Sequence, residues 1–318
     1  MAFCRVCNKE LLPGKSELMK HAKGAKHCKR VQAYGRGGPS DLMQGRTIDL
    51  RSDSITVPSK DMRLAIREAQ VGDDRRGEDP TVKQLESKVA MLLDKPEGLY
   101  LPTGTMANLV AILTHCWARG SRIIVGDKSF VARGGPAGRP ASFLFGQVEQ
   151  VTVSNRADGT LDMTELREAL RPGYSSPLWP TTTVVCIENT HSLVGGRALS
   201  PMWINELEQL CSDTGAIIHT DGARLINAAV ALAIPPSLLV EKSASATFCL
   251  NKSLGAPAGS VLVGSEDYIE KARQIRDSLG GAGHQAGMMA AAGLYAMNHL
   301  MSRINKDHYN ARAIAKGL

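Results

Sequence analysis

Lys252 stands alone between the apolar run Phe248-Cys249-Leu250 and the small-residue loop Ser253-Leu254-Gly255-Ala256-Pro257. Upstream, Asp221 follows the apolar run Ala216-Ile217-Ile218, and Gly222-Ala223-Arg224 come after it. A lysine after one strand and an aspartate after another are the two groups that pyridoxal phosphate chemistry needs. The amine condenses with the cofactor aldehyde. The carboxylate pairs with the pyridinium nitrogen and keeps the ring an electron sink. Taken alone, such a lysine reads as an ordinary surface residue beside a loop, so the rest of the chain has to carry the argument.

Other polar groups fall at equivalent places. Gly98-Leu99-Tyr100-Leu101 runs into Pro102-Thr103-Gly104-Thr105-Met106, a pattern of strand, tight turn and helix. Gly104 and Thr105 would there present backbone N–H groups and a hydroxyl at a helix N-terminus, a site for phosphate. Cys186-Ile187-Glu188-Asn189-Thr190-His191 places His191 just past another apolar run, and Arg224 follows Asp221 closely. Ligands of open parallel sheets bind beyond the carboxyl ends of the strands. Each feature alone is a turn or a surface group. Four strand ends bearing phosphate donors, a histidine, a carboxylate with an arginine, and an amine are difficult to explain as unrelated.

The elements that must position these groups alternate along the chain. Apolar runs at Gly98–Leu101, Arg122–Val125, Val148–Val153, Thr182–Ile187, Ala216–His219 and Ala246–Leu250 read as strands. Thr81–Leu93, Met106–Trp117, Met163–Leu170 and Met202–Thr214 read as helices. In the first of these helices Val82, Leu85, Val89 and Leu92 share one face. Asp162 with Glu165 marks a helix start, and Pro172-Gly173 its stop. This alternation predicts an α/β fold, a mostly parallel sheet flanked by helices. No internal repeat is visible.

The composition, 43% hydrophobic and 22% charged, is that of a soluble globular protein. The net charge of +7 is concentrated at the start, where the first thirty residues carry eight basic side chains against Glu10 and Glu17. The seven cysteines are odd in number, and Cys116, Cys186, Cys211 and Cys249 lie in apolar segments. That predicts buried thiols in a reducing, cytosolic compartment. No secretory signal is read at the N-terminus, and apolar stretches such as Ala228–Val240, broken by Pro235-Pro236, are too short to span a bilayer. No membrane partner is expected.

From Ile48 onward the chain resembles the low-specificity L-threonine aldolases, of the β-eliminating lyase group within the aspartate-aminotransferase fold. The resemblance rests on Asp49-Leu50-Arg51-Ser52-Asp53, Val71-Gly72-Asp73-Asp74 with Gly77-Glu78-Asp79-Pro80-Thr81, and Gly104-Thr105-Met106-Ala107-Asn108. It continues through Glu188-Asn189-Thr190-His191 before Gly195-Gly196-Arg197, Asp221-Gly222-Ala223-Arg224, Lys252 to Ser260, and Gln285-Ala286-Gly287. It implies the large domain of a fold-type-I pyridoxal phosphate enzyme. By resemblance Lys252 holds the cofactor, Asp221 its ring nitrogen, and Gly104 with Thr105 its phosphate. Arg224 lies near the ring oxygen and the substrate, Ser52 helps bind the substrate carboxylate, and His191 lines the pocket. The implied reaction cleaves threonine or allo-threonine to glycine and acetaldehyde, and a homo-oligomer, dimer or tetramer, is expected.

The chain departs from the family pattern at several of these places. Phe130 stands where the family has a histidine stacked on the cofactor ring, and a phenyl ring can stack but not move a proton. Arg75-Arg76 replaces a tyrosine, Ser192 an asparagine, and His284 an arginine that reaches a cofactor phosphate. Residues 293–318 read as one long helix leading toward a small C-terminal domain that is largely missing. A catalytically weakened or inactive relative is therefore the first alternative.

The N-terminal residues 1–30 read as a separate module, joined by a Gly-rich linker over 31–47 to the cofactor-binding domain over 48–292. Cys4, Cys7, His21 and His27 follow the spacing C-x2-C-x13-H-x5-H, which suits a tetrahedral Zn2+ and resembles the U1-like class of zinc fingers. With the basic excess, this raises weak nucleic-acid binding as a further expectation. A zinc-finger protein carrying a degenerate enzyme domain is the second alternative.

Overall fold

The structure, a computed structural model, describes residues 2–4, 9–11, 49–118, 120–133, 148–171 and 182–317. They fall into two units, Met1–Ser52 and Asp53–Leu318. In the first, β1 (Ala2–Cys4) pairs antiparallel with β2 (Lys9–Leu11). Cys7, His21, His27 and the linker 31–47 lie outside the described residues, and of Cys4 only the strand backbone is described.

The second unit is built on a seven-stranded sheet in the order β3-β9-β8-β7-β6-β4-β5. The strands are β3 (Glu97–Leu101), β4 (Arg122–Gly126), β5 (Glu149–Val153), β6 (Thr183–Glu188), β7 (Ile217–Gly222), β8 (Ser245–Cys249) and β9 (Ser260–Gly264). β5, β4, β6, β7 and β8 run parallel, and β9 alone runs against its two neighbours β8 and β3. β4, β8 and β9 are buried along their whole length, as expected of strands covered on both faces.

Helices cover the sheet on either side. They are α1 (Lys60–Arg67), α2 (Pro80–Leu92), α3 (Gly104–His115), α4 (Phe130–Arg133), α5 (Met163–Ala169), α6 (Pro201–Thr214), α7 (Leu225–Leu232), α8 (Glu266–Ser278), α9 (Gly287–His299) and α10 (Ile304–Gly317). Side chains alternate along each strand. Tyr100, Val261, Val263, Ala246 and Phe248 join the core under α2, α6, α7 and α9. Leu99, Leu101 and Leu262 join the core under α3 and α8.

Asp79 shows how the loops are tied to this frame. Its buried carboxylate caps α2 through the N–H groups of Thr81 and Val82, at 3.1 and 3.0 Å. It also accepts from Gly72 at 3.1 Å and from Gly287, the first residue of α9, at 2.9 Å. One side chain thereby joins the loop at Gly72, α2 and α9. On the opposite face the fully buried Arg276 of α8 donates to Asp74 at 2.9 Å and to the carbonyl of Tyr100 at 3.2 Å, fixing the end of β3.

The α/β architecture and the six predicted strands are present. β7 continues past His219 to Gly222, so Asp221 lies within the strand and not after it. β9 is an addition. It follows β8 through a short connection with no helix between them, so the strand–helix rhythm does not reveal it. The single helix expected over 293–318 is instead α9, a 3-10 turn at Met301–Arg303, and α10. Among the described residues no helix is long and apolar enough to cross a membrane.

Removing the carboxylate of Asp79 deletes a helix cap, worth about 1 kcal/mol, and orphans two further N–H groups at about 1–3 kcal/mol each where buried. Asp79→Ala is expected to lower unfolding free energy in urea by about 3 kcal/mol or more. A loss below about 1 kcal/mol would show that the loop at Gly72 and α9 do not depend on it.

Candidate functional site

The site begins with a two-residue period. His219 and Asp221 share one face of β7, and the register sets Ser245 of β8 opposite His219 and Thr247 opposite Asp221. Asn108 of α3 covers them. Its amide Nδ2 donates to Asp221 Oδ2 at 2.6 Å, and the backbone N–H of Ala223 donates to Asp221 Oδ1 at 3.0 Å. Asp221 is only 3% exposed. Burial and then the neighbouring Glu188 carboxylate raise its pKa, while the bonds from Asn108 and Ala223 and the charge on Lys252 pull it down. The influence of Lys252 places the predicted amine and carboxylate in one electrostatic neighbourhood.

Lys252 is half-buried in the turn that connects β8 to β9. Gly255 donates to the Lys252 carbonyl at 2.9 Å, with φ of 73° that a side chain would resist, and Ala256 donates to Leu250 at 3.0 Å. Next to it the buried Asn251 Oδ1 has no hydrogen-bond partner among the described residues.

The phosphate turn lies at the end of β3. Because β3 and β8 both run against β9, their carboxyl ends share one edge of the sheet. Thr103 caps α3 by accepting from Met106 at 3.1 Å. The N–H groups of Gly104 and Thr105 precede the first intrahelical bond and meet no acceptor among the described residues. A Cβ on Gly104 would sit 2.5 Å from Cys249 Sγ, so only glycine lets this turn approach β8 closely. Two open N–H groups at a helix N-terminus, a buried carboxylate and a lysine form a donor set that fits a phosphorylated pyridine aldehyde.

Glu188 and Arg224 organise the adjoining wall. Glu188 is the register partner of Asp221 and is itself buried. Its carboxylate accepts from the backbone N–H groups of Phe130 and Ser192, both at 2.8 Å, and burial raises its pKa. Phe130 therefore enters the wall through its backbone, and the residue as a whole is 37% exposed. Arg224 is clamped by Asp53 through two contacts of 2.6 Å and reaches Ser192 Oγ at 3.5 Å. Asp53 accordingly takes up much of the donor capacity expected to serve the substrate.

His191 is 1% exposed, and neither ring nitrogen has a hydrogen-bond partner among the described residues. Burial lowers its pKa and keeps the imidazole neutral. It shares a closed pocket with Ser129, Asn155, Glu188 and Trp203. Ser52 belongs to the first unit. His284 is exposed and meets Asp73 at 3.3 Å. Among the described residues no cluster of histidine, cysteine or carboxylate side chains is able to hold a metal. Asn108, His219, Ser245, Thr247, Glu188 and Asp53 had no role expected from the sequence. The signal available was polar residues two apart, His219 with Asp221 and Ser245 with Thr247, inside buried runs.

The sequence matches the family described as Beta-eliminating lyase over residues 49–318. It is 41% identical over 276 residues to low-specificity L-threonine aldolase 1 of Arabidopsis thaliana, covering 86% of this chain and 75% of that protein. It is 38% identical over 274 residues to the low specificity L-threonine aldolase of Escherichia coli K12, covering 85% and 79%. The structure of the threonine aldolase of Leishmania major superimposes with a TM-score of 0.70 at 18% identity, covering 84% of this chain and 77% of that one.

The contact between Gly104 and Cys249 carries a prediction. Gly104→Ala is expected to cost about 1–3 kcal/mol in urea unfolding, the range for overpacking. Adding Cys249→Ala should recover most of that loss, because it removes the sulfur that the new methyl group meets. Additive losses in the double variant would mean that the turn is held apart by something else.

Proposed function

Because the chain belongs to the β-eliminating lyase family, we propose that it is a pyridoxal phosphate-dependent aldolase that cleaves L-threonine or L-allo-threonine to glycine and acetaldehyde. The observation that carries this reading is the buried Asp221 carboxylate, bonded by Asn108 and within the electrostatic influence of Lys252, on the same sheet edge as the open N-terminus of α3. Lys252 would hold the cofactor covalently, Asp221 its ring nitrogen, and Gly104 with Thr105 its phosphate, with Phe130 facing the ring. When bound, the cofactor supplies an electron sink for the Cα–Cβ bond of the amino acid.

The chain's own groups would do the rest. By the family resemblance Arg224, held by Asp53, would lie near the ring oxygen and the substrate, and Ser52 would help bind the substrate carboxylate. The β-hydroxyl gives up a proton, the Cα–Cβ bond breaks, and Cα takes a proton, so the reaction needs no oxidant. Phe130 holds no proton. His191, neutral through burial, is the imidazole we assign to holding or orienting the one that moves.

The four buried cysteines without disulfides favour a reducing compartment, and we place the protein in the cytosol as a homo-oligomer of two or four copies. For residues 1–30, the Cys4, Cys7, His21, His27 spacing supports a bound Zn2+ ion, and the basic excess supports weak nucleic-acid affinity.

Two tests follow. Purified protein incubated with cofactor and reduced with borohydride is expected to carry a pyridoxyl group on the peptide containing Lys252, and to form acetaldehyde from threonine beforehand. Lys252→Ala should lose both, and a labelled peptide elsewhere would overturn the assignment. Phe130→His is expected to raise acetaldehyde turnover, within the roughly 10²–10⁴-fold that a general acid–base group contributes. Unchanged turnover would mean that proton transfer at this wall does not limit the rate.

A further inference from the structure

Asn108 is the last link of a longer chain of hydrogen bonds. His219 Nε2 lies 3.2 Å from Asn108 Oδ1, and His219 Nδ1 lies 2.8 Å from Ser245 Oγ. Ser245 Oγ in turn lies 2.7 Å from Nε2 of His115, seven positions after Asn108 on the same side of α3. The His115 ring stacks on Tyr268 of α8, with centroids 4.3 Å apart and planes at 26°. Half-buried, His115 opens onto a pocket lined by Thr182, Asp267, Tyr268 and Lys271. His219 and Ser245 have no solvent exposure. The chain therefore runs beneath α3 from the carboxylate of the site to a separate opening.

Its direction follows from chemistry. An ionised carboxylate only accepts, so Asn108 must turn its Nδ2 to Asp221 and its Oδ1 to His219. His219 must then carry its proton on Nε2 and accept at Nδ1 from the Ser245 hydroxyl. Ser245 accepts from Nε2–H of His115. Every donor points toward Asp221. Protonating Asp221 so that it donates to Asn108 would require the amide to flip and both imidazoles to change tautomer. Burial drives His115 down to about 4 and His219 to about 3, so both rings stay neutral near pH 7. Among the described residues the other titratable groups around the chain are Glu188 and Cys186 from β6, Cys249 and Lys252 from β8 and its loop, Cys116 and Tyr268 beside His115, and Asp267 and Lys271 at the opening. The thiols Cys186, Cys249 and Cys116 are pushed up by burial and stay protonated.

We propose that His219 and His115 are positioning residues that act through Ser245 and Asn108 to hold Asp221 ionised, and so keep the cofactor's ring nitrogen protonated. The inference rests on the reading of Asp221 as the partner of that nitrogen.

The test is nitrogen NMR of the full chain loaded with pyridoxal phosphate carrying ¹⁵N in the ring, titrated with pH. Asp221→Asn is expected to abolish the protonated signal. His219→Leu, Ser245→Ala and His115→Phe are expected to move its titration to lower pH by roughly one unit, a tenfold shift in the proton equilibrium. His219→Gln, which restores a donor toward Asn108, should recover most of the shift. If His219→Leu does not fold, Ser245→Ala and His115→Phe decide the matter alone. Wild-type titration in the folded chain variants, with Asp221→Asn shifted, overturns the proposal. An unshifted Asp221→Asn overturns the underlying reading instead. In the protein without cofactor, ¹⁵N spectra of the imidazoles should place the proton of both rings on Nε2, and an Nδ1–H tautomer at His219 would also overturn it.

Discussion

The bond from Asn108 to Asp221 governs the architecture of the site, because it resolves a conflict between burial and charge. Taking an unpaired carboxylate out of water costs several kcal/mol. A hydrogen bond to a charged group returns about 1.5–3 kcal/mol. Asp221 receives a 2.6 Å bond from Asn108 and a 3.0 Å bond from Ala223, and Glu188 beside it works in the opposite direction. That balance depends on α3 lying at one height above the sheet. The height depends on Thr103 starting the helix, on Gly104 passing Cys249, and on Arg276 fixing the end of β3.

Two buried carboxylates in register on neighbouring strands would repel if neither were compensated. Glu188 is compensated by backbone, through Phe130 and Ser192, and Asp221 by an amide side chain. The loops that follow β4 and β6 are therefore organised around Glu188, while β7, β8 and α3 are organised around Asp221. Arg224, which follows β7, connects the two sets by reaching Ser192, and Asp53 holds it there.

Much of this frame was legible in the chain because it depends on local pattern. The α2 stripe of Val82, Leu85 and Val89 and the Asp162 cap emerge where spacing put them. What was hidden depends on tertiary register. Nothing in the neighbourhood of His115 marks it as a partner of Ser245. The two meet because α3 lies along β7 and β8 with seven residues spanning the distance from Asn108. Asp53 and Arg224 are likewise far apart in sequence, and their pairing changes what the arginine has to offer. Strand β9 escaped because a tight connection replaced the helix that the rhythm of the other strands leads one to expect.

The antiparallel setting of β9 has a consequence for freedom of motion. A parallel strand would have required a crossover of a dozen or more residues after β8. Residues 250–259 instead form a short return, tied at Leu250 to Gly259 by a 3.0 Å bond and from Gly259 to Pro102 by another of 3.0 Å. Closing so short a segment leaves little conformational entropy to be lost later. The backbone of Lys252 is thereby anchored before any ligand arrives. Displacement of its amine has to come from rotation along the four-carbon stem, leaving the sheet edge itself still.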